Sequence, residues 1–235
     1  MSKNLLTAFA IASLGFSAVA SADTLWDQSA LSGTGAGVYN SVSGSPPFGS
    51  TVYALSDVVV PAGGWTINSI STYFSALGFA NWATDVTQAR LNIFSRDGAL
   101  PASGNNPGTG TLVTLTCTFS SFDAGPDFGF QNVNVATAAG LNIVLAPGNY
   151  WIGLTPIAPG GFDLESNWGS STVIGGNSAM RSPFTGFGMP PANTWSDSGA
   201  EGAILIEGTL APTPSAAALM GLAGLAAGRR RRTRN

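Results

Sequence analysis

TLVTLTCTF, residues Thr111–Phe119, is the stretch on which the fold turns. Val113, Leu115, Cys117 and Phe119 share one side of an extended chain, and Thr114, Thr116 and Thr118 share the other, because successive side chains of a strand point to opposite faces. The alternation predicts a strand with one face on a core and one toward solvent. It also makes Cys117, the only cysteine, a small core residue. A lone cysteine forms no internal disulfide.

The same period recurs on both sides. Leu91 and Ile93 in ARLNIFS, Leu141, Ile143 and Leu145 in LNIVLA, and Tyr150, Ile152 and Leu154 in NYWIGL each align on one face. GAILIEG near 202–208 reads as a last strand buried on both faces, and further strands fit Val52–Leu55, Asp57–Val60, Trp65–Phe74 and Phe128–Val135. Turn formers separate them: PAGG at 61–64, RDGALP at 96–101, SGNNPGTG at 103–110, DAGPD at 123–127 and APGN at 146–149. A Gly/Ser/Pro-rich zone at 169–200 reads as long loops. VVVPAGGWTINSI and IVLAPGNYWIGL read as one local solution used twice: apolar strand, Pro/Gly turn, aromatic-led strand. Strands at regular spacing with Gly/Pro turns predict an all-β domain, an antiparallel two-sheet β-sandwich of jelly-roll type over 23–208.

Composition narrows the function classes. Only 9% of residues are charged and 44% are hydrophobic, with 31 Gly and 14 Pro. All twelve acids lie between Asp23 and Glu207, where the only basic residues are Arg90, Arg96 and Arg181, so this span carries nine net negative charges. That sign argues against a nucleic-acid partner. The chain has no His, which excludes His-based triads and His metal ligands.

The ends read as addresses. Residues 1–22 combine Lys3, an apolar stretch from Leu5 to Val19 and the small residues Ala20-Ser21-Ala22. That is the layout of a secretory signal peptide, with cleavage expected after Ala22 or after Ala20. At the other end, Pro212-Thr213-Pro214 precedes an uncharged run, Ser215–Gly228, and the cluster Arg229-Arg230-Arg231-Arg232. As a C-terminal apolar helix the run would span about 21 Å, short of the ~30 Å hydrocarbon core. The Arg cluster would stay on the cytoplasmic side, so the tail suits a temporary hold in the membrane.

This three-part tail, 209–235, resembles the PEP-CTERM sorting signal, departing from the family's Pro-Glu-Pro at its centre, where Thr213 stands. LAPGNYW at 145–151 is similar to a hairpin of exported β-sandwich proteins that carry such signals, and LNIFSRDGALP at 91–101 to a strand and loop of theirs. The resemblance implies recognition by an exosortase, transient residence in the inner membrane, and export to the cell surface or the exopolysaccharide matrix. It brings no catalytic residue.

Candidate chemistry within the domain is sparse. Asp163 and Glu165 could pair as carboxylates for glycoside hydrolysis or sit on a solvated edge. Asp123 and Asp127 could offer oxygens to Ca²⁺ or simply form a turn. No cofactor is expected and no metal site is assigned. Trp82, Trp168 and Trp195 stand among polar residues, in FANWATD, ESNWGSS and ANTWSDS. Trp168 and Trp195 are candidates for stacking on matrix polysaccharide, or for pinning loops to the core. The expectation is a non-enzymatic exported protein with a structural or adhesive role, the alternative being a carbohydrate-binding module.

Overall fold

The computed structural model describes residues 22–32, 37–40, 42–43, 52–76, 84, 86–101, 111–122, 133–158, 166–176, 180–181 and 195–210. In chain order the strands are β1 (Asp23–Asp27), β2 (Gly37–Tyr39), β3 (Val42–Ser43), β4 (Ala54–Val60), β5 (Trp65–Ala76), β6 (Gln88–Asp97), β7 (Leu100–Pro101), β8 (Thr111–Thr116), β9 (Thr118–Phe122), β10 (Val133–Leu145), β11 (Gly148–Ala158), β12 (Ser166–Gly169), β13 (Met180–Arg181), β14 (Ser196–Asp197) and β15 (Ile204–Leu210). They form two sheets. The first runs β1-β15-β5-β10-β9, with β12 joining β5 to β2; the second runs β14-β13-β4-β11-β6-β7, with β8 also on β6 and β3 on β11. Pairing is antiparallel apart from β3 on β11. Among the described residues no helix is long and apolar enough to cross a membrane.

One core joins the sheets. Ile67, Ile70, Phe74 and Ile204 from the first sheet share an apolar cluster with Val58, Leu91, Ile93, Ile152 and Leu154 from the second. Alternation puts these residues on the inner faces, with a register shift between Ile67 and Ser69 of β5 turning Ile67 to the same side as Ile70 and Phe74, and removing such area from water, at about 25 cal/mol per Å², is the main stabilising term.

The structure corrects the sequence reading at several joints. Thr111–Phe119 is not one strand. β8 pairs with β6 in the second sheet, and β9 pairs with β10 in the first. The chain changes sheets at Cys117, whose N–H donates to the Thr87 carbonyl at 3.0 Å. Alternation survives the bend: Cys117 is buried, while Thr116 and Thr118 are exposed. LAPGNYW is not a hairpin either, because β10 pairs with β5 whereas β11 pairs with β4 and β6. Its turn is an arch between sheets, as is the turn between β4 and β5. The two arches stack: Val60 opposite Gly148 in one sheet, Trp65 opposite Leu145 in the other. Val52–Leu55 and Asp57–Val60 merge into β4, and the 169–200 zone contributes β13 and β14 beside β4.

Asn40 holds the second sheet where β4 and β11 part. Their pairing ends at Ser56 and Ile152. Beyond it, the buried Asn40 amide accepts from the Ala54 N–H (3.1 Å) and donates to the Leu154 carbonyl (3.0 Å).

β1 lies on β15, with Asp23 opposite Gly208, so the first and last strands meet at the edge of the first sheet. β15 extends to Leu210, opposite Trp65. The signal segment with Ala20, the tail residues Pro212, Thr213, Pro214, Arg229, Arg230, Arg231 and Arg232, and Trp82, Asp123, Asp127, Asp163 and Glu165 lie outside the described residues.

Candidate functional site, the outer face of the second sheet

Trp168 and Trp195 are buried, at 1% and 4% exposure, which corrects their reading as sugar-stacking residues. Stacking on a pyranose needs an open ring face, and neither indole has one. Trp168 sits on β12, with its N–H donating to the Ala203 carbonyl at 2.7 Å. Trp195 packs edge-on against Phe94, centroids 5.6 Å apart. The polar neighbours of both in sequence gave no signal of these distant partners.

Trp195 marks a second apolar cluster with Tyr53, Leu55, Phe94 and Trp151. These residues lie on the face of the second sheet that points away from the main core. Register explains the grouping: Asp57, Trp151 and Phe94 form one cross-strand row, and Gly153 lies opposite Asn92 and Thr155 opposite Arg90. Period 2 along β6 puts Arg90, Asn92, Phe94 and Arg96 on this side. Phe94, Trp151 and Asn92 on this side are all buried.

The polar groups of this face are partly paired. An Arg90 Nη1–H donates to Tyr53 Oη at 2.6 Å, and Asn92 Nδ2 donates to Thr155 Oγ1 at 3.3 Å. Arg96 lies over the Trp151 ring, 5.8 Å from its centroid, and 3.9 Å from an Asp57 carboxylate oxygen. Four buried atoms on this face have no hydrogen-bond partner among the described residues: Arg90 Nε, Asn92 Oδ1, Trp151 Nε1 and Trp195 Nε1. Each such atom costs about 1–3 kcal/mol when left dry. Three of the four are donors and one is an acceptor.

Beside this face, Gln28 joins the sheets next to β4. Its Oε1 accepts from Trp26 Nε1 (2.8 Å) and Ser56 Oγ (3.1 Å), and its Nε2 donates to the Val173 carbonyl (3.3 Å) and Glu201 Oε2 (3.5 Å). The segment carrying Val173 passes close overhead. A Cβ at Gly175 would come 2.5 Å from Gln28 Nε2 and 3.0 Å from Asp57 Oδ1, so a larger residue there would displace the Gln28 amide. Burial, then the negative charge of Asp57, push the Glu201 carboxyl up to about 7. Among the described residues no group of three or more His, Cys, Asp or Glu side chains could hold a metal ion.

Asp57 and Glu201 carried no sequence signal, since 144 positions separate two acids that only the fold brings together. No protein-family model, curated protein or solved structure matches this chain.

Proposed function

We propose that this is an exported protein with a structural or adhesive role at the cell surface or in its polysaccharide matrix, held briefly in the inner membrane and released by an exosortase acting at its tail. The observation that carries the reading is the ordered series Pro212-Thr213-Pro214, the uncharged run Ser215–Gly228 and Arg229–Arg232. The fold fits such processing. β15, the last strand, ends at Leu210, so a cut in the Pro-rich motif leaves the sheet whole. A jelly-roll sandwich is the finer reading of the architecture. Its support is the strand order, β1-β15-β5-β10 in one sheet and β4-β11-β6 with β8 in the other, the interleaving that two nested Greek keys produce. Neutral residues at Arg229 to Arg232 should weaken retention and let uncut precursor reach the medium. Unchanged retention and cutting in that variant would remove the sorting role of the cluster.

Carbohydrate binding is the second reading. It is favoured by the buried aromatic face with its four polar atoms unpartnered among the described residues, which replaces ring stacking by Trp168 and Trp195 with hydrogen bonding from Trp151, Trp195, Arg90 and Asn92. Trp151→Phe removes one donor and keeps an aromatic ring, though the smaller ring in a buried site also lowers stability. Titration of matrix oligosaccharides well below the melting transition should then show weaker binding. If the unmodified protein binds no glycan across a panel, the face is purely structural.

A further inference from the structure

Six large apolar side chains are exposed among the described residues, and four of them gather at one end of the sandwich: Val59, Leu100, Val144 and Leu210, at 46%, 38%, 70% and 60%. Register places them together. Leu210, Trp65 and Leu145 are level across β15, β5 and β10, which sets Val144 one residue from the same end. Val59 lies opposite Asn149, one residue from the β4 terminus. Leu100 follows the turn that closes β6, opposite Asp97. The two inter-sheet arches form this end. Scattered exposed apolar residues need no explanation, but a concentration at one end does.

The last described strand also ends here. Only Ala211 separates Leu210, the last ladder residue, from Pro212. Asp23, expected to follow the signal cleavage site, lies opposite Gly208 at the same end. An uncharged run of about 21 Å is too short for a ~30 Å hydrocarbon core, so insertion draws the Pro212 junction down to the lipid surface. No slack remains to hold the sandwich off the bilayer.

We infer that, while the tail is inserted, the arch end of the sandwich rests on the lipid surface, with Val59, Val144 and Leu210 in the interfacial layer. This rests on the membrane-hold reading of the tail. The lipid surface is zwitterionic rather than anionic, because Asp23 and Asp97 are exposed at this end and the domain is strongly acidic. Contact with the bilayer keeps the Pro-rich motif at the depth where a membrane protease can reach it.

The test uses the full chain in phosphatidylcholine vesicles that contain nitroxide-bearing lipid. A fluorophore is placed on V144C, on V59C, on Q88C at the far end of β6, or on A218C in the tail. Cys117 is buried and its thiol is pushed up to about 12, so it stays unlabelled. The expected result is quenching of the V144C and V59C labels several-fold stronger than that of Q88C, together with quenching at A218C. Quenching at A218C with V144C no different from Q88C would overturn the docking and leave the tail reading intact. No quenching at A218C would overturn both.

Discussion

The indole of Trp168 fills the space that a side chain at Gly202 would need. A Cβ at 202 would come 2.7 to 3.0 Å from its Cζ2, Cε2 and Cη2 atoms. The two residues fix each other, and the indole N–H is held by the Ala203 carbonyl next door. Gly202→Ala should therefore cost about 1–3 kcal/mol, the range for overpacking. Trp168→Ala should cost about 3–5 kcal/mol, the range for large aromatics in cores. Denaturant midpoints of the two variants check this. A neutral Trp168→Ala would return that ring to the surface and reopen its sugar-stacking role.

Asn40 is expected to be among the most sensitive polar positions. Asn40→Leu leaves the Ala54 N–H and the Leu154 carbonyl without their partner inside the second sheet. The loss should be about 2–4 kcal/mol, from two buried backbone groups at about 1–3 kcal/mol each with partial relaxation. Chemical unfolding measures it, and a loss below half a kilocalorie, the scale of a surface change, would mean that β4 and β11 close on each other without the amide.

Stability should fall as pH rises from about 4.5 to about 7 through Glu201. The folded state keeps this proton to about 7, whereas the unfolded chain releases it near the ordinary value of 4.5. Between these values the folded state binds more protons, so the contribution is fully present below 4.5 and gone above 7. Its size is at most about 3 kcal/mol. Glu201→Gln, which retains a group for Gln28, should remove this slope and be the more stable form at pH 8. Equal slopes in the two proteins would show that Glu201 is ionised throughout.

Cys117 should resist thiol reagents in the native state. It is buried at the corner where β8 becomes β9, and burial pushes its thiol up to about 12, so almost no thiolate exists at pH 8. Modification should proceed at the rate of opening of that corner and become fast in denaturant. Immediate reaction of the folded protein would contradict the sheet change at Cys117.

The strands were legible in the sequence and their partners were not. Period 2 reports which side of a strand is buried, as at Leu91, Ile93, Ile152 and Leu154, but not which sheet the strand joins. Thr111–Phe119 kept its alternation through a change of sheet, and the Pro/Gly turns at 61–64 and 146–147 looked like hairpin turns because arches use the same residues. The outer face of the second sheet was hidden for a different reason. Arg90, Asn92 and Arg96 alternate with apolar residues as a solvated face does, while Phe94 between them packs against Trp195, about a hundred positions away. The Gln28, Asp57 and Glu201 cluster likewise exists only through long-range contact.

Intact mass spectrometry of surface-extracted protein from a host with an active exosortase reads export and release at the tail together. The expected form begins at Asp23, keeps Leu210, and ends within the Pro-rich motif, without Arg229 to Arg232. A surface form that still ends at Asn235 would rule out release and make the tail a permanent anchor.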